Sequence, residues 1–130
     1  MRARLTVALA GLVLLEPPEP QRIVVTRVFP QPGQIGLFIA NADGTDERPL
    51  GSPSNIDYDA AWSPDGKSIV FTSERNGSAD LYRMNADGSG VERLTDSPAY
   101  DDQAAFSPDG KRLVFVSTRG DGTADLFTLD

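Results

Sequence analysis

Cysteine and histidine are both missing from the 130 residues of this chain, and each absence removes a class of chemistry. Without cysteine there is neither a disulfide framework nor a thiolate metal site. Without histidine the chain lacks the usual general base, the usual zinc ligand and every Ser-His-Asp or Cys-His arrangement. Hydrolysis would therefore need a Ser-Lys or carboxylate pair, or sequence not present here, and neither an enzyme activity nor a cofactor is expected. Positive charge is also scarce. Twelve Lys and Arg against 19 Asp and Glu leave a formal charge of -7 and a pI near 4.5, whereas nucleic-acid binding needs a basic face that releases counterions from phosphates. Nucleic acid is excluded as a partner. Long apolar runs are wanting too: Leu5 to Leu15 covers eleven residues, short of the roughly 20 that span a bilayer as a helix, so no stable membrane span is expected.

What is present is turn chemistry and repetition. Twelve Gly and ten Pro, most of them between apolar runs, fit an all-β chain with many tight turns. Trp62-Ser63-Pro64-Asp65-Gly66-Lys67-Ser68-Ile69-Val70-Phe71-Thr72-Ser73 returns 44 residues later as Phe106-Ser107-Pro108-Asp109-Gly110-Lys111-Arg112-Leu113-Val114-Phe115-Val116-Ser117, identical at eight of twelve positions. Leu37 to Gly44 returns at the same interval as Leu81 to Gly88, and Leu50 as Leu94. A period of roughly 40 to 45 residues built of short strands, with no 3.6-residue pattern, is that of a propeller blade.

In the complete repeat the expected strands are Asp59 to Trp62, Lys67 to Ser73, Asp80 to Asn85 and Val91 to Thr95. Ser63-Pro64-Asp65-Gly66 joins the first two, because Pro presets φ, Asp bonds the local backbone and Gly takes the left-handed conformation. The second strand is apolar on both sides, Ile69 and Phe71 against Val70, and Leu113 to Val116 repeats this. A sheet with one wet face would alternate, and a sheet between two neighbouring sheets would not. Trp62 and Phe106 are then large side chains packed between blades; the competing reading of Trp62 is a ligand-stacking platform.

The first repeat supplies strands at Arg22 to Phe29, Ile35 to Asn41 and Thr45 to Leu50, without its inner strand, and the third supplies Gln103 to Phe106, Lys111 to Ser117 and Ala124 to Leu129. The fold class is all-β, a partial β-propeller of about two and a half to three four-stranded antiparallel blades, with repeats at about 22–54, 55–98 and 99–130. Such a set is not a closed ring. The expectation is a piece of a longer protein or a truncated reading frame, needing further blades or self-association to cover its edges.

Residues 1–21 read as a signal-like segment and a Pro-rich linker. Arg2 and Arg4 precede the apolar run, and Glu16 to Gln21 is stiff and extended. Periodic small residues for cleavage are not placed as expected, since Ala8-Leu9-Ala10 comes too early, and a buried first strand or a mis-assigned start codon are the alternatives.

The Ser-Pro-Asp-Gly-Lys turn with its apolar strand ending in Ser, the Asp-Leu-Tyr and Asn-Ala-Asp-Gly segments and Arg93-Leu94-Thr95 together resemble the blade repeat of TolB-type six-bladed propellers. The same blade occurs in the N-terminal propellers of prolyl oligopeptidase-family serine peptidases. The resemblance covers residues 22–130 and is specific to the blade type rather than to one protein. Resemblance to TolB implies a periplasmic or secreted, non-catalytic scaffold that binds protein or peptide partners of the cell envelope. Resemblance to the peptidases implies the truncated propeller of a hydrolase whose catalytic residues lie in another domain, so that none can be placed here.

Asp57, Asp59, Asp101 and Asp102 precede the expected inner strands, where a propeller opens onto its channel. They are read either as an acidic rim selecting a basic partner or cation or as ordinary solvated connections between blades. Asn41-Ala42-Asp43-Gly44-Thr45-Asp46 spaces oxygens as a calcium loop does, against the plainer reading of a hairpin turn. Arg119-Gly120-Asp121 spells an adhesion tripeptide but matches the loop at Arg75-Asn76-Gly77, and is read as a turn.

Overall fold

The computed structural model describes residues 5–7, 13–15, 21–30, 34–52 and 54–130. Most of the signal-like segment and of the Pro-rich linker lies outside the described residues. Two short pieces there, β1 (Leu5–Val7) and β2 (Val13–Leu15), pair as an antiparallel hairpin.

Ten further strands form three antiparallel meanders. The first contains β3 (Arg22–Val28), β4 (Ile35–Asn41) and β5 (Arg48–Leu50). The second contains β6 (Asp57–Trp62), β7 (Ser68–Ser73), β8 (Asp80–Asn85) and β9 (Glu92–Arg93). The third contains β10 (Asp101–Phe106), β11 (Leu113–Ser117) and β12 (Asp125–Leu129). Among the described residues the first sheet has no inner strand and the third no outer one, in line with the repeat register.

The hairpin turns form because their side chains replace the missing ladder. Ser63 Oγ donates to Asp65 Oδ1 at 2.7 Å, the Lys67 amide donates to the same oxygen at 3.0 Å, and the Ser68 amide reaches Ser63 Oγ at 2.9 Å. Gly66 closes the turn at φ 69°, and Gly110 does so at φ 72° in the next repeat, a conformation that costs a β-carbon residue energy.

Apolar residues on both faces of β7 and β8 hold the sheets together. Ile69, Phe71, Tyr82 and Met84 pack against Leu37 and Ile39 of the first sheet, while Val70 and Leu81 pack against Leu113 and Phe115 of the third. Trp62 lies partly buried against the first of these cores and Phe106 against the second. Arg22 places its guanidinium 5.7 Å from the Trp62 ring centroid.

The inner strands begin two residues earlier than the sequence reading places them. Asp57, Asp59, Asp101 and Asp102 lie inside β6 and β10, not ahead of them. A β-bulge breaks the pairing between Tyr58 and Ala61 and again between Asp102 and Ala105. Its central residues, Asp59 at φ 50° and Gln103 at φ 54°, take a left-handed conformation that hides the strand's alternation from sequence.

Candidate functional site

The four aspartates of the inner strands separate into two kinds. Asp57 and Asp101 are almost completely shielded, at 2% and 0% exposure, and a carboxylate so placed must be paired. Arg75 Nη2 donates to both oxygens of Asp57 at 3.1 and 3.0 Å, and its Nε donates to Ser73 Oγ at 2.8 Å. The guanidinium lies 5.4 Å from the Phe71 ring centroid and 4.6 Å from that of Tyr82, within cation–π reach. The next repeat rebuilds the same unit. Arg119 Nη2 donates to Asp101 Oδ2 at 2.8 Å, its Nε donates to Ser117 Oγ at 2.9 Å, and Ser117 Oγ donates to Asp101 Oδ1. Phe115 and Phe127 lie 5.0 and 5.1 Å below that guanidinium. These two aspartates are therefore internal to their sheets and face no solvent.

Asp59 is exposed and Asp102 half-buried. They stand on adjacent inner strands, since β6 and β10 run side by side. Burial, then the charges of Asp59 and Asp101, push the Asp102 carboxyl above its ordinary value. Tyr58 belongs to the same group: its hydroxyl donates to Glu74 Oε1 at 3.1 Å. Burial, followed by that hydrogen bond and the charges of Glu74, Asp102 and Asp59, raises the Tyr58 hydroxyl as well. Of the four aspartates singled out in sequence, the structure thus leaves Asp59 and Asp102 accessible and draws Asp57 and Asp101 into internal pairs; Tyr58 and Glu74 were not among the residues read from sequence. Neither were the arginine partners, although Ser73, Arg75 and Asp57 recur as Ser117, Arg119 and Asp101 at one interval of 44 residues, which was the available signal.

A third buried carboxylate, Asp80, accepts from Arg93 Nη2 at 2.7 Å and from Ser78 Oγ at 3.2 Å. Asp43, Asp65, Asp87, Asp109 and Asp121 are spent on turns. Asp43 Oδ1 accepts from the Thr45 amide at 2.9 Å and from its hydroxyl at 2.6 Å, while Asn41 Nδ2 donates to Thr45 Oγ1 at 3.0 Å. Asn85, Asp87 and Ser89 repeat those bonds, and Asp46 at φ 55° takes the conformation of Gly90 at φ 65°. Asp43 Oδ1 and Thr45 Oγ1 are thus engaged within a hairpin turn. Among the described residues no three carboxylates stand close enough to hold a metal ion. Arg119 is committed to Asp101 and Asp121 accepts from Thr123, so Arg119-Gly120-Asp121 is likewise a turn. No helix among the described residues is long and apolar enough to cross a membrane.

What the inner strands leave accessible is the acidic pair Asp59 and Asp102, beside Tyr58 and Glu74.

No curated protein matches the chain. Among solved structures it is similar to a putative TolB from Agrobacterium tumefaciens, with a TM-score of 0.75 and 27% identity over 85% of this chain. TolB from Acinetobacter baumannii superposes with a TM-score of 0.72 at 24% identity over 85% of this chain. Puromycin hydrolase does so with a TM-score of 0.62 at 23% identity over 83%, a likeness of fold alone. The chain spans 42%, 27% and 20% of the lengths of these three proteins. The family model of the TolB beta propeller domain matches residues 17–130, and the chain, with its sheets and its Ser-Pro-Asp-Gly turns, belongs to that family.

Proposed function

We propose that the chain is a non-catalytic propeller segment that binds a protein or peptide partner in the cell envelope, with the acidic group on β6 and β10 receiving basic side chains of that partner. One observation carries the reading. The buried Asp57 and Asp101 are neutralised by arginines of their own sheets, whereas neither Asp59 nor Asp102 forms an ion pair among the described residues. An unneutralised acidic pair beside two neutralised, buried carboxylates steers and selects positive partners. Membership of the TolB beta propeller family and the likeness to a putative TolB at 27% identity support the non-catalytic, partner-binding reading that the resemblance in sequence implies. Arg2, Arg4 and the run Leu5 to Leu15 support export.

Fluorescence anisotropy with labelled lysine-rich and glutamate-rich peptides tests the binding surface. The basic peptide is expected to bind, to weaken with salt, and to bind at least about tenfold more weakly to the Asp59→Asn/Asp102→Asn protein. Equal binding of both peptides, or no change in the double variant, overturns it. Cell fractionation tests the location, and a chain found only in the cytosol would sink that part.

A further inference from the structure

A groove between the first and second sheets departs from the repeat at two positions that carry hydrogen-bond donors. It lies at the Trp62 end of β6, opposite to the end that holds Asp57 and Tyr58. Arg22, Ile23, Ala42, Trp62, Pro64 and Gly66 line it around a volume of about 420 Å³. The second and third sheets meet around a matching groove of about 420 Å³, where Ser68, Phe106 and Gly110 hold the corresponding places. The space is therefore a property of how successive sheets meet inside the chain.

Its chemistry is not a property of the repeat. Arg22 is opposite Asn41 in its ladder as Ser68 is opposite Asn85, and Asn41 and Asn85 are one interval of 44 residues apart, so an arginine stands where the next repeat has serine. Trp62 stands where that repeat has Phe106. The first exchange brings a guanidinium to the groove and the second an indole N–H. The groove between the second and third sheets is lined instead by Asp65, Asp109 and an Arg83 already paired with Glu92, whereas Arg22 is the one charged residue lining the first. Arg22 is exposed and enters no ion pair among the described residues. Its guanidinium lies 5.7 Å from the Trp62 ring centroid. The Trp62 Nε1 is shielded and has no hydrogen-bond acceptor, although a buried indole N–H usually finds one and an unmade bond there is costly.

We propose that this groove binds a carboxylate carried on an apolar body, the carboxylate accepting from the Arg22 guanidinium and the Trp62 Nε1–H while the body lies against Ile23, Ala42 and Pro64. The planar guanidinium matches a carboxylate with two parallel hydrogen bonds, which a lysine would not. A volume of about 420 Å³ falls in the range of small-molecule sites, roughly 300–1,000 Å³. Either a free organic acid or an acidic residue beside an apolar one in a peptide supplies that chemistry. The site stands at the other end of β6 from Asp59 and Asp102 and is independent of the binding surface proposed there.

Trp62 is the only tryptophan of the chain, so its fluorescence reports on this groove alone. Titrating the full chain with phenylacetate is expected to change that emission saturably, with half-saturation at about 1 mM, the range open to so small a ligand, and to shift the single indole N–H signal in the proton NMR spectrum. Phenylacetamide and phenethylamine, which keep the apolar body and lose the carboxylate, are expected to bind at least about tenfold more weakly. Arg22→Gln, at an exposed position, is expected to weaken phenylacetate at least about tenfold with an unchanged circular dichroism spectrum, and Arg22→Lys to fall between. The absence of a saturable change with phenylacetate, equal binding of acid and amide, or an Arg22→Gln protein that binds as the parent does would each overturn the proposal. If Arg22→Gln is misfolded, the comparison of acid with amide on the parent chain decides. A capped peptide, acetyl-Phe-Glu-amide, separates the two sources. Tighter binding than phenylacetate assigns the groove to a partner segment and weaker binding assigns it to a free organic acid, and either result supports the carboxylate site.

Discussion

Arg75 reaches Asp57 across 18 residues with hydrogen bonds of 3.1 and 3.0 Å to its two oxygens, tying the turn after β7 to the start of β6. The arginine is partly solvent-accessible, at 21% of its side chain, and the aspartate is not, at 3%. Removing the arginine therefore strands a buried charge, whereas removing the aspartate strands a charge that can turn toward water.

Arg75→Ala is accordingly expected to destabilise the fold by about 3–5 kcal/mol, and Asp57→Ala by about 2–3 kcal/mol. The double variant should lose clearly less than the sum. Urea melts of the single and double variants check this, and strict additivity would show that the pair is not energetically coupled.

The bulges give a second expectation. Gln103 is exposed and sits at φ 54°, so its side chain contributes little while its backbone is strained. Gln103→Gly relieves the strain, offset by the greater freedom of glycine in the unfolded chain, and is expected to be neutral or stabilising by up to about 1 kcal/mol. Gln103→Val places a β-branched residue in the same conformation and should cost about 1–2 kcal/mol. Thermal melting compares the two, and a valine variant as stable as the glycine variant would mean that the bulge slides out of register.

These bulges also mark where sequence reading loses its grip. The Ser-Pro-Asp-Gly turns, β7 and β11 are legible because a local rule determines each of them: turn chemistry in one case, an unbroken apolar run in the other. The three-, four- and three-stranded sheets of the described residues follow from the repeat register. The starts of β6 and β10 do not, because at Asp59 and Gln103 two residues face one and the alternation shifts phase. The placement of the four aspartates escapes sequence for a different reason. Asp57 and Asp59 look alike in a list of residues, and only the arrival of Arg75 from the far end of β7 makes one of them internal. Tyr58 and Glu74 were invisible for the same cause, since their contact depends on the pairing of Tyr58 with Thr72.

Asp102 supplies a dependence on pH. Its carboxyl is raised above 3.8 by burial and by its acidic neighbours, so the folded state prefers the protonated form. Its contribution is most favourable below 3.8 and is lost as pH rises through the raised value. Asp102→Asn removes that loss, and is expected to raise Tm at pH 7 while leaving it unchanged at pH 3. The turn residues Asp65 and Asp109 are held below 3.8, by the hydroxyls of Ser63 and Ser107 foremost, and act the other way, their stabilisation vanishing in acid. Both proteins therefore weaken at low pH, and the difference between their melting curves isolates Asp102. A gain that persists at pH 3 would assign the effect to something other than ionisation.

Val70 and Val114 occupy one position in successive repeats under unlike conditions, 0% exposed against 40%. Val70→Ala removes buried methyl groups and leaves a cavity, so it should cost about 1.5–3 kcal/mol. Val114→Ala touches a surface that is largely wet, where substitutions usually stay within about 0.5 kcal/mol. Melting both variants beside the parent chain separates the two positions. A loss in Val114→Ala as large as that in Val70→Ala would show that Val114 is covered in solution, and that the two positions do not differ in burial as they do here.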